Sequence, residues 1–182
     1  MIPLIPIQPI RIPPIHINVP DVPFYSQFID ITRHEWQKVG CGVTSLAMII
    51  NYYKPGATSV NDLLTKGIAG GAYDQNAGWI YNGLITLAEK YGLKGTTYDF
   101  AQSTNVAAFA QFKKIATTGP VIVSVHYKFD PKSTIPHLVV IDSIDDNIVY
   151  YNDPASKVGK KQISVDDFMR GWKKRFIVIR PV

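Results

Sequence analysis

The chain is 182 residues long, 46% hydrophobic and 18% charged, with a formal net charge of +5. That length suits one domain with an appendage, and that apolar content builds a core and excludes disorder for most of the chain. The 19 basic residues form no stripe interleaved with aromatics, which argues against a nucleic-acid partner, and one cysteine excludes an internal disulfide or a multi-cysteine metal site.

Residues 1–20, MIPLIPIQPIRIPPIHINVP, carry proline at positions 3, 6, 9, 13, 14 and 20. Proline at that density forbids a helix and predicts an extended arm, set apart from a domain over residues 21–182. Its isoleucines predict that it lies along its own domain, over a substrate groove in the manner of a propeptide, or against another chain. His16 in this arm has no assigned role. The prolines also break any signal-peptide pattern, and no apolar run reaches the roughly 18 residues of a membrane span. The compartment is left open, an exported or cell-envelope role included.

Residues 22–28, VPFYSQF, read as a short strand or extended lead-in, and residues 29–40 as a polar loop containing His34 and Gln37. From Cys41 to Tyr53 the apolar positions repeat at helical spacing nearly all round, which predicts a buried helix, and Lys54-Pro55-Gly56 ends it. A short helix is expected over 59–66 behind a Thr58 or Ser59 cap, and a glycine-rich surface loop over 67–78. An amphipathic helix is expected over 79–91, with residues 80, 84, 87, 88 and 91 inward and Gly92 closing it. Another begins at Ser103 or Thr104 and runs to about Ile115, with Val106, Phe109 and Phe112 inward. The period then changes to strands at 120–127, 137–142 and 147–152, a helix at 164–172 and a last strand at 175–180. Helices first and an antiparallel sheet second give the α+β class.

The chemistry-bearing residues fall at the ends of these elements. Cys41 stands at a helix N-terminus, where unpaired N–H groups and the helix dipole favour a thiolate. Gly40 and Gly42 beside it would leave room for a substrate backbone. A hairpin folded about Asp145 places His137, which starts one strand, opposite Asp153 or one residue from it, at the end of the next. A carboxylate orienting an imidazole, together with a thiol on a helix, is the part list of a cysteine nucleophile. His126 and His34 have no partner nearby in sequence, and no histidines stand at metal-ligand spacing, so no metal or cofactor is expected.

Residues 22–27 (VPFYSQ), Gly40 to Met48, Gly119 to Val123, His137 to Ile141 and Tyr151-Asn152-Asp153-Pro154 together resemble the papain-like cysteine peptidases related to the double-glycine (bacteriocin) leader peptidases, in their stand-alone branch. The resemblance spans residues 20–180 or so. It implies a papain-like fold, with a helical half carrying Cys41 and a sheet half carrying His137 and Asp153. It implies a peptide or protein substrate cleaved through that triad. It also implies a glutamine that helps form the oxyanion hole, at Gln27, with Gln37 as second choice and Asn152 as a fallback for orienting the histidine. Val43-Thr44-Ser45 replaces the longer cysteine motif of the transporter-linked peptidases, which puts cleavage after a double glycine in doubt. Two other readings stay open on the same fold: an inactive peptide-binding module, and acyl transfer in place of hydrolysis.

Overall fold

The computed structural model describes residues 21–182, so the arm expected over residues 1–20, His16 included, lies outside the described residues. In chain order the elements are α1 (His34–Gln37), α2 (Cys41–Tyr53), α3 (Val60–Ala69), β1 (Tyr73–Asp74), β2 (Gly78–Trp79), α4 (Tyr81–Glu89), β3 (Leu93–Asp99), α5 (Asn105–Ala116), β4 (Val121–His126), β5 (Pro136–Asp145), β6 (Ile148–Asn152), β7 (Lys161–Ser164), α6 (Val165–Gly171) and β8 (Trp172–Pro181). Six of the strands form one sheet in the order β3-β8-β4-β5-β6-β7, and every neighbouring pair is antiparallel. The class is α+β, as the pattern of elements indicates.

The details differ from the sequence reading where edges and short elements are concerned. β3 and β7 lie at the two edges of the sheet and carry Lys94, Gly95, Lys161 and Gln162. Edge strands are commonly polar and lysine-bearing, which hides their period. The stretch expected as a surface loop over 67–78 instead closes α3 and forms the β1–β2 hairpin, with Tyr73 paired to Trp79. The polar loop before Cys41 contains the single turn α1. The helix expected from Trp79 starts at Tyr81, and Ile80 is its N-cap rather than part of its buried face. In α5, Ala108 and Phe112 set the buried face four residues apart. Val106 lies about 200° round the helix from Ala108 and is 81% exposed, not inward.

The sheet is the middle layer, and β4 shows why. Every residue from Val121 to Val125 is buried, and the pleat sends alternate side chains to opposite cores. Ile122 joins Leu138, Val140, Ile177 and Ile179 on the face covered by α2, α3 and α4. Val121, Val123 and Val125 join Val139, Ile141 and Phe176 on the face covered by α5 and α6. There Phe112 meets Trp172 at 4.8 Å and Phe176 at 5.1 Å between ring centroids. In α2, residues Gly42 to Asn51 are all buried. Truncating a fully buried residue such as Leu46 to alanine in a packed layer of this kind costs about 2–5 kcal/mol. That packing holds α2 still, with its first residue at one end of the sheet.

Candidate active site

Cys41 is the first residue of α2 and the only part of its N-terminal turn that is not buried. Gly40 precedes it as the N-cap and contributes no side-chain cap. The first turn therefore offers backbone N–H groups and the positive end of the dipole to the thiol. The two flanking glycines do something other than make room for substrate. A Cβ on Gly42 would stand 2.4 Å from the Trp79 ring, and one on Gly40 would stand 2.1 Å from Ile31 Cδ1. Trp79 is pinned by its Nε1, which donates to the Val39 carbonyl at 2.6 Å. The glycines let α2 sit directly against these neighbours, so the space expected for a substrate backbone is filled by the protein.

One turn further along, the Ser45 hydroxyl donates to the Leu138 carbonyl at 3.3 Å. This ties the cysteine helix to β5 at the residue after His137. His137 is 5% exposed, and its Nε2 shares a hydrogen bond of 2.7 Å with Asp153 Oδ1. Cys41 lies close enough to His137 for its sulfur to bear on the ring proton. Asp153 Oδ1 accepts a second bond from the Ala155 backbone N–H at 2.8 Å, which fixes the carboxylate in place.

The route by which His137 meets Asp153 is not the simple hairpin. Asp145 pairs with Ile148, so the turn sits at Asp146 and Asn147, and the ladder then shifts by one at Asp142. Beyond the shift Val140 pairs with Asn152. One step on, Asp153 falls level with Val139, two residues from His137 and on the same side of the pleat. Without the bulge it would fall level with Val140, on the other side. The two side chains therefore meet diagonally, two residues apart, a correction to the expected placement opposite or one residue off.

Burial works against a charge on His137, but the bond to Asp153 and the nearby Cys41 sulfur outweigh it and push the imidazole up from 6.5 to about 9. Burial likewise works against the Asp153 carboxylate, and the His137 partner outweighs it, holding that group below the usual carboxylate range. Both directions favour an imidazolium between a carboxylate and the cysteine sulfur.

Gln27 is 3% exposed and packs at Gly40, its Cβ 3.4 Å from where a Cβ on that glycine would stand. Its backbone N–H donates to the Pro154 carbonyl at 2.8 Å, next to Asp153. Its Nε2 donates to the Gln37 carbonyl at 2.7 Å, and its Oε1 is buried without a partner among the described residues. One N–H of that amide is left over. Gln37 is used differently: its amide donates to the Ile31 and Phe28 carbonyls and holds the loop before α2. Asn152 is also committed elsewhere, with Oδ1 accepting from the Lys160 N–H at 2.8 Å and Nδ2 reaching the Val22 carbonyl. His126 Nδ1 bonds to the Ser133 carbonyl, and His34 is exposed at the start of α1.

Three neighbours had no signal in the sequence pattern. Ser45 is one; its only cue is a spacing of one turn from Cys41. Tyr127 lies edge-on to the His137 ring at 5.4 Å and 83°. Tyr81 opens α4 and lies close enough to Ser124 and Cys41 for both to bear on its proton; burial is the largest influence and pushes the phenol up, with Cys41 adding to it and Ser124 working against it. Among the described residues no group of three or more His, Cys, Asp or Glu is arranged to hold a metal ion, and no helix is long and apolar enough to cross a membrane.

Residues 19–180 match the model of the Peptidase_C39 like family. No match is found among curated proteins. The fold is shared with solved structures. A chain from Bacillus anthracis named as a C39-like peptidase is 20% identical, with a TM-score of 0.61, over 86% of this chain and 92% of that one. The peptidase domain of Streptococcus ComA, a bifunctional ABC transporter of a quorum-sensing pathway, is 20% identical, with a TM-score of 0.60, over 80% and 93%. A double glycine motif protease from an AMS/PCAT transporter, solved in complex with the leader peptide, is 24% identical, with a TM-score of 0.56, over 78% and 84%.

Proposed function

The chain belongs to the C39-like peptidase family, and from that premise we propose that it is a cysteine peptidase that hydrolyses peptide bonds through Cys41, His137, Asp153 and Gln27. The observation that carries the proposal is the 2.7 Å bond between His137 and Asp153, with Cys41 at the N-terminus of α2 close enough to bear on the same imidazole. The His137 ring carries a proton at neutral pH, because the imidazole is pushed up to about 9. The attacking form of Cys41 is the thiolate, the nucleophilic one, with that imidazolium beside it.

In this reading the Cys41 Sγ attacks the scissile carbonyl carbon. The carbonyl oxygen takes the negative charge and is held by the Cys41 backbone N–H and the spare N–H of the Gln27 amide. The tetrahedral adduct collapses as the C–N bond breaks, and His137 gives its proton to the leaving amine. A thioester is left on Cys41. His137, now neutral, takes a proton from water as the water attacks the thioester, and collapse returns the thiolate and releases the acid. Asp153 keeps the ring oriented and offsets its charge throughout.

The substrate class is a peptide or a peptide segment of a protein, in keeping with the leader peptide bound to the transporter-linked relative. The test is digestion of a mixed peptide pool, read by mass spectrometry. The wild-type protein should generate new termini and the Cys41→Ala variant should generate none. Equal cleavage by both, or none by a protein whose Cys41 reacts rapidly with a thiol-directed probe, would overturn hydrolysis.

A further inference from the structure

β8 departs from its ladder with β4 beside the candidate site. Ser124 pairs with Arg175 while Val125 pairs with Trp172, so Lys173 and Lys174 are extra residues on β8. Lys174 takes the left-handed backbone at φ 56, and its Nζ bonds back to the Ser103 carbonyl at 2.8 Å. The bulge thus uses Lys174 as a fastener and leaves Lys173 and Arg175 side by side. Bulges of this kind re-aim side chains.

The position of the pair follows from the register. Asp99, Arg175, Ser124 and Leu138 form one row across β3, β8, β4 and β5. Leu138 is the neighbour of His137, and Tyr81 lies near enough to Ser124, Cys41, Arg175 and Asp99 for all four to bear on its hydroxyl. Strands lie about 4.8 Å apart, so Arg175 is two strand spacings, about 10 Å, from β5. An extended peptide covers that distance in about three residues.

The charges there are not balanced. Arg175 Nε donates to Asp99 Oδ2 at 2.9 Å, and the other donors of its fork have no partner among the described residues. Lys173 has no ion pair among the described residues, and burial together with the adjacent Arg175 charge holds its ammonium below the usual lysine range. Two cations face one carboxylate. An arriving carboxylate would remove that repulsion and would take the free donors of the guanidinium fork.

We infer that Lys173 and Arg175 form a specificity subsite that selects peptides bearing an acidic side chain within about three residues of the bond at Cys41. The inference rests on the peptidase reading and adds the substrate chemistry to it. Asp99 is a positioning residue that fixes Arg175 through its Nε.

The experiment uses peptidyl vinyl sulfones of one sequence with Glu, Gln or Lys at each of the three positions before the warhead, and measures Cys41 labelling by intact mass. Each rate is divided by that for iodoacetamide on the same protein. At one of these positions the Glu probe should react about tenfold faster than the Lys probe. Arg175→Glu should remove or reverse that ratio. Lys173→Glu provides a second variant that leaves the Arg175–Asp99 pair in place, and it should lower the ratio as well. A folded protein that labels rapidly with every probe at equal rates overturns the subsite and leaves the peptidase reading standing. A Glu preference unchanged in both variants also overturns it. A Cys41 that reacts with no peptidyl probe and only slowly with iodoacetamide overturns both.

Discussion

α2 and the β5–β6 hairpin each bring one half of the candidate site, and they are fixed by different kinds of physics. α2 is placed by a short-range pattern: ten consecutive buried residues after Cys41 force the helix into the core, and the cysteine comes out at its end. The hairpin is placed by a long-range register, and one unpaired residue at Asp142 decides which side of the pleat Asp153 falls on. A helix tolerates error in its surroundings, because its own hydrogen bonds hold its first residue in place. A hairpin does not, since a slip of one reverses every side chain. The nucleophile end of the site should therefore be robust, and the His137–Asp153 end should respond to small changes.

That contrast can be broken at several points, beginning with the largest effect. Cys41→Ala should lower kcat by about 10⁴-fold or more with an unchanged melting temperature, measured on any peptide the protein cleaves. Asp153→Asn should lower kcat about 10³-fold with the fold intact. It should also move the alkaline limb of kcat/KM below the value near 9 set by His137. A limb that stays in place would remove Asp153 from the proton's surroundings. The same shift carries a stability signature. His137 has a raised folded value, so its contribution is complete below 6.5 and is lost as pH rises through about 9. Asp153 has a lowered value, so its contribution is present above the ordinary carboxylate range and lost as pH falls below it.

Gln27→Ala should lower kcat about 10²-fold, in line with loss of one oxyanion donor. Gln37→Ala loosens the loop it holds and should act on the melting temperature more than on kcat. A larger kcat effect at Gln37 would exchange their roles. Gly42→Ala should cost about 1–3 kcal/mol by thermal or urea denaturation, because the added methyl meets a pinned Trp79 ring. Gly40→Ala meets the far end of Ile31 and should cost less. Ser45→Ala, which unties α2 from Leu138, is the smallest, at about 1 kcal/mol.

Much of this was legible in the sequence, and the failures share a cause. The α2 run, its proline–glycine stop and the β-branched strands β4 and β5 state their own structure, because buried elements with a clear period are over-determined. The edge strands β3 and β7 carry lysine and glycine on a sheet margin and lose that period. The glycines around Cys41 were visible as special, but only the fold shows that Ile31 and Trp79 occupy the space beside them. The pairing of His137 with Asp153 follows from a turn count that was off by the bulge and the position of the turn. Because the two offsets together preserve parity, the same two residues still meet. Lys173 and Arg175 gave no signal beyond a basic run, since a bulge on β8 is written in its pairing with β4 and not in its own residues.

The most direct test of the site is the rate at which an epoxysuccinyl thiol probe adds to Cys41, followed by intact mass across pH in the wild-type protein and in His137→Ala. A thiolate held by the imidazolium requires rapid single addition from mildly acidic pH upward, falling off in His137→Ala to the rate of an ordinary thiol that rises only toward pH 8.5 or so. Identical pH profiles in the two folded proteins would mean that His137 does not activate Cys41, and the nucleophile system built here from α2 and the hairpin would not stand.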